Sequence, residues 1–196
     1  MMTGLDGDLT LPPIRFLAQR LVSLLLAAGL CSSAMAQVAD TEHNRALQRE
    51  SNVANVVHGI LNYARWPQTP RPLNLCIVAP TEYADLLWQQ PKMSSAYQIH
   101  VKRLLVDNPK LESECQAIYI GVMEPQQRRL LFSQLIGKPV LSISESSQGC
   151  NEGSLFCLNI RDEHVGFKVN LDAVARSGVR IHPNVLQLGQ RAGSQP

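Results

Sequence analysis

Leu73-Asn74-Leu75-Cys76-Ile77-Val78 is the stretch on which the fold turns. It is a short apolar run of strand type, and Pro80 closes it. Two more such runs lie downstream, Ala117-Ile118-Tyr119-Ile120-Gly121 and Pro139-Val140-Leu141-Ser142-Ile143. Helical segments fall between them. Thr81 caps one predicted over Glu82–Gln90, with Pro91 beyond it. Another opens at Pro125, at the favoured first helical position, runs to about Ile136 and stops at Gly137. Tyr97–Leu105 adds a strand with Ile99 and Val101 on one side and His100 and Lys102 on the other.

Upstream, Val53, Val56, Val57, Ile60 and Leu61 recur at helical spacing, so a helix is expected over about Thr41–Ala64, ended by Pro67, Pro70 and Pro72. Downstream the pattern changes after Ser144. Glu145–Gly153 is a polar loop. Ser154–Arg161 and Val165–Asn170 then form a hairpin with Asp162-Glu163-His164 at its tip. A short helix over Leu171–Ser177, a strand over Val179–Ile181 and a helix over Pro183–Gln190 complete the chain. Short apolar strands alternating with helices predict a single α/β domain. Its sheet is mixed but mostly parallel, flanked by helices, with a C-terminal hairpin.

The first 36 residues read differently. Arg15 and Arg20 precede the apolar run Leu21–Leu30, and Ser33-Ala34-Met35-Ala36 ends in an Ala-x-Ala pattern. That is a secretory signal peptide over 1–36, cut before Gln37, leaving an α/β domain over 37–196. The apolar run is too short for a bilayer span, which needs roughly 20 residues. Asp6 and Asp8 lie oddly ahead of a basic region and leave the true start open. Cys31 follows Leu30 rather than a small residue, which argues against lipidation. Export places the mature chain outside the cytoplasm, where thiols oxidise.

Lys+Arg total 18 and Asp+Glu 16, a net charge of +2, too weak a field to suggest a nucleic-acid partner. A hydrophobic content of 45% argues for a folded globule. Four cysteines follow the leader: Cys76, Cys115, Cys150 and Cys157. An even count in an oxidising compartment suggests two disulfides, and three pairings are open. Cys76–Cys115 and Cys150–Cys157 is the favoured one. The second pair is close in sequence, and the first would join two neighbouring strands. Neither a C-x-x-C pair nor a zinc-knuckle spacing occurs, so no metal or other cofactor is expected.

The sequence carries no P-loop, G-x-G-x-x-G, G-x-S-x-G or H-E-x-x-H. A Ser/His/Asp site assembled from distant segments stays open. Asp162 and Glu163 read as a solvated turn rather than a glycosidase pair. Three features remain as binding candidates. Arg65 beside Trp66 at a helix end can form a cation–π platform or hold an anion. Arg180 and His182 point the same way in an extended segment and can grip a small carboxylate, especially with Arg65 nearby. Phe156, Leu158 and Ile160 share one side of a strand, with Cys157 on the other, and form a candidate partner surface if that side stays exposed.

Several stretches together resemble the YfiR family of periplasmic proteins. They are the helix end Tyr63 to Pro67, the strand Leu73-Asn74-Leu75-Cys76-Ile77, the segment Gly153-Ser154-Leu155-Phe156-Cys157-Leu158 and the run Val169 to Val179. The resemblance spans about Val53 to Gly189 and places the four cysteines where the family has them. It implies an α/β fold, a homodimer and a non-enzymatic role. The implied role is a repressor that binds the periplasmic sensor domain of an inner-membrane diguanylate cyclase, lowering cyclic-di-GMP and biofilm formation. An OmpA-like outer-membrane lipoprotein would relieve repression by capturing it. The resemblance also implies disulfides that couple function to periplasmic redox state. The alternative reading is a periplasmic small-anion-binding sensor module. A thiol–disulfide enzyme is disfavoured by the missing C-x-x-C.

Overall fold

The computed structural model describes residues 41–89, 97–162 and 164–191. The signal-peptide reading of 1–36 and the tip residue Glu163 lie outside these residues. The chain divides into a unit over 1–44, described only from 41, where it is helical, and a unit over 45–196 that holds the sheet. Among the described residues, no helix is long and apolar enough to cross a membrane.

A helix over 41–63 (α1) runs into a two-residue strand, β1 (Ala64–Arg65). Then follow β2 (Leu73–Val78), α2 (Asp85–Gln89), β3 (Ile99–Leu104), α3 (Leu111–Glu114), β4 (Ala117–Ile120), α4 (Pro125–Leu135) and β5 (Leu141–Ser144). The polar loop carries a one-turn helix, α5 (Gly149–Glu152). The hairpin is β6 (Phe156–Arg161) and β7 (His164–Val169). The chain closes with α6 (Leu171–Ser177), β8 (Arg180–Ile181), a 3-10 turn (Pro183–Val185) and α7 (Leu186–Arg191).

Six strands form one sheet in the order β3-β2-β4-β5-β6-β7, with every pair parallel except β6–β7. Counting the parallel strands in chain order gives 2-1-3-4-5, a doubly wound sheet whose winding reverses between β2 and β4. The mostly parallel α/β sheet with its C-terminal hairpin is therefore present as expected. The last strand, expected over Val179–Ile181, is Arg180–Ile181 and stands outside the six-stranded sheet. Its two residues pair antiparallel with β1, Arg180 opposite Arg65 and Ile181 opposite Ala64. Two residues are enough only for a small ribbon that ties the end of α1 to the C-terminal segment.

Both faces of the sheet are covered, which is why the central strands read as continuous apolar runs. Leu73, Leu75 and Ile77 of β2, Ala117 and Tyr119 of β4, and Leu141 and Ile143 of β5 share a core with Val53, Val57, Ile60 and Leu61 of α1. Cys76 and Val78 of β2 and Ile118 and Ile120 of β4 share a second core with Leu131, Phe132 and Leu135 of α4. The bridge Cys76–Cys115 lies within this second core, both residues buried, and joins β2 to the turn that feeds β4. Cys150–Cys157 ties α5 to β6.

Helix α2 starts later than the sequence suggested, at Asp85 rather than Glu82. Thr81 is not what organises this turn. The Glu145 carboxylate accepts the backbone N–H groups of Glu82 (3.0 Å) and Tyr83 (2.8 Å) instead.

Candidate functional site

The end of α1 gathers the predicted cationic residues. Arg65 and Arg180 are cross-strand partners, and the His182 backbone N–H donates to the Tyr63 carbonyl (2.9 Å). The Tyr63 and His182 rings stack with centroids 6.0 Å apart. Arg65 and His182 line one shallow cleft with Gly59, Tyr63 and Leu188. The Arg65 guanidinium is turned back toward α1, donating to the carbonyls of Asn62 (2.6 Å), in the last turn of the helix, and of Ala64 (2.7 Å), in β1. Its cation–π partner is Tyr97, with the guanidinium carbon 6.0 Å from the ring centroid, rather than the adjacent Trp66. Trp66 is a core anchor: it is buried, donates its indole N–H to the Gln116 carbonyl (3.0 Å) and meets Tyr97 edge-on. His182 accepts the Asn184 N–H at Nδ1 (3.2 Å), and Arg180 is exposed.

The residues predicted as a partner surface are mostly buried. Phe156 and Leu158 are buried in the core shared with α1, and Phe156 meets Phe167 edge-on at 5.6 Å. Ile160 is half-buried against the same core. β6 is an interior strand, flanked by β5 and β7, so its apolar side belongs to the core. Exposed apolar side chains lie elsewhere. Leu105, just past β3, and Leu130, on α4, line one groove and are 74% and 64% exposed. Val122, just past β4, is also exposed.

Sequence reasoning missed a third cluster, at the C-terminal ends of the parallel strands. In doubly wound sheets, ligands bind outside these ends, where the winding reverses. Here the chain closes that crevice with its own atoms. Ala79 takes a left-handed conformation (φ 64°) and directs the Pro80 carbonyl at the Val122 N–H (2.7 Å). The approach requires glycine at 121, since a Cβ there would stand 2.0 Å from the Pro80 oxygen. Glu145, the first residue past β5, fills the adjoining space. It takes the Glu82 and Tyr83 N–H groups and the Tyr119 hydroxyl (2.9 Å). Burial raises the Glu145 pKa above the usual carboxylate value, opposed by these three donors and reinforced by the nearby Glu82 charge. Burial pushes the Tyr119 hydroxyl well up, and the Glu145 charge adds to this. The signal available in the sequence was slight: a lone acid directly after an apolar strand that the winding brings beside the switch point.

These features define a disulfide-stapled, doubly wound α/β domain whose usual ligand crevice is filled from within. The chain belongs to the YfiR/HmsC-like family, whose model matches residues 50–190. Members of that family are periplasmic regulators of diguanylate cyclase systems, with regulatory rather than catalytic roles.

Proposed function

We propose that this protein is a periplasmic repressor that binds the sensor domain of an inner-membrane diguanylate cyclase. In this reading residues 1–36 are a cleaved signal peptide, and the mature protein works as a homodimer. Binding lowers cyclic-di-GMP and biofilm formation, and capture by an OmpA-like outer-membrane lipoprotein relieves it. Family membership over residues 50–190 carries the proposal. The Glu145 plug supports it, because it devotes the crevice where such sheets bind ligands to holding the fold. A soluble protein sets a membrane enzyme's activity by binding one of its conformations better than another. Shifting a strongly biased equilibrium takes several kcal/mol of differential binding. With Phe156 and Leu158 committed to the core, the exposed Leu105–Leu130 groove is the apolar surface offered for that contact.

The test is capture of the protein by the purified periplasmic domain of the cyclase. Leu130→Glu, at an exposed position, should leave the fold intact and weaken capture by about tenfold or more. Full capture by that variant removes the groove from the account, and no capture of the wild type removes the repressor reading.

A second reading is a small carboxylate held at the cleft lined by Arg65 and His182, with Arg180, the cross-strand partner of Arg65, beside it, that tunes repression. Calorimetry with small carboxylates before and after Arg180→Ala decides it, since unchanged heats would exclude the site.

A further inference from the structure

A different cleft, of about 350 Å³, opens between α4, α5 and α6, within the size range of small-molecule sites. Its walls are apolar, formed by Phe132, Leu155 and Ala173. Gly153, in a left-handed conformation (φ 126°), lets the backbone pass close to Phe132; a Cβ there would stand 3.2 Å from the Phe132 Cβ. The floor has Ser142 and Ser177, both buried, and their hydroxyls are already engaged. Ser142 Oγ accepts the Leu155 N–H (3.0 Å). Ser177 Oγ donates to the Val174 carbonyl (2.9 Å) and accepts the Val179 N–H (3.1 Å). Glu152, on the rim, is paired with Arg128. Arg129 and Arg176 also line the cleft, both exposed and neither in an ion pair among the described residues.

We infer that this cleft binds a small amphiphilic anion, one carboxylate on an aliphatic or aromatic body. Ser177 Oγ both donates and accepts and Ser142 Oγ already accepts, which leaves a bound molecule little more than one hydroxyl proton at depth, so its body must be largely apolar. The two unpaired guanidiniums then fix the sign of its head group. The cleft is separate from the Arg65–His182 cleft, with which it shares no lining residue.

Calorimetry of the oxidised protein with octanoate and, separately, inorganic phosphate tests the inference. Octanoate should bind at a single site and phosphate much more weakly. Arg129→Ala with Arg176→Ala should weaken octanoate binding by about tenfold or more without moving the melting temperature of the free protein. Ser133→Trp, at the exposed rim, should block it, and Arg65→Ala with Arg180→Ala should not. Phosphate binding as tightly as octanoate would overturn the inference, as would octanoate binding indifferent to Arg129 and Arg176. So would no octanoate binding up to millimolar concentration, which would leave the cleft to an acidic, apolar segment of a protein partner.

Discussion

The two disulfides staple regions built on different physics. Cys76–Cys115 sits in the parallel half, between strands covered on both faces, and spans 39 residues. Cys150–Cys157 spans seven and ties a one-turn helix to β6, beside the antiparallel hairpin whose outer end is exposed. In the parallel half, burial on two faces, the Gly121–Pro80 approach and the Glu145 plug all restrain the same strand ends. Near the hairpin, the short bridge and the Asn170 side chain, which donates to the Cys150 carbonyl (2.7 Å), hold a polar loop with little core of its own. The parallel half is thus the frame, and the loop before the hairpin is the part most dependent on its covalent tie.

Removing each bridge tests that contrast. In the chain-entropy account, Cys76→Ala with Cys115→Ala should cost about 4 kcal/mol, before counting the cavity left in the core. Denaturant unfolding should show one cooperative loss across the whole sheet. Cys150→Ala with Cys157→Ala should cost about 2.5 kcal/mol, with hydrogen-exchange protection falling first in 145–161. Equal losses, or protection falling first in β2 and β4 of the second variant, would break the comparison.

Smaller effects sharpen it within the frame. Tyr119→Phe removes one of three donors to a half-buried carboxylate, and should cost about 1–2 kcal/mol. The sign of the pH dependence follows from the raised pKa. The folded protein holds the Glu145 proton more tightly than the unfolded chain does. The proton-linked part of the stability is therefore absent at neutral pH and is gained as pH falls through the raised value toward the ordinary 4.5. The stability of the wild type relative to Glu145→Gln should rise as pH is lowered from neutral toward 4.5 in paired melts. A relative fall over that window would contradict the assignment.

What the sequence made legible follows the same division. β2, β4 and β5 announced themselves because strands buried on two faces leave unbroken apolar runs. The hairpin showed because Asp162 stands at its tip, where the turn takes a left-handed residue (φ 50°). Phe156 and Leu158 show where such reading stops. Alternation shows that they share a side of β6, but the strand's interior place in the sheet is what makes that side core. The late start of α2 and the plug were hidden for another reason. Both depend on Glu145, which meets the Glu82 N–H from 63 residues away. Arg65 beside Trp66 suggested a pair, yet the turn out of α1 sends the guanidinium to the Asn62 and Ala64 carbonyls and to Tyr97. The Arg65–Arg180–His182 grouping was foreseeable only in part, because the antiparallel pairing of β1 with β8 assembles it.

The most direct test of the central claim is cyclic-di-GMP in cells that lack this gene but keep the cyclase. The account predicts a rise, reversed by supplying the exported wild-type protein and not by Leu130→Glu at equal periplasmic abundance. An unchanged level in the deletion strain would contradict it.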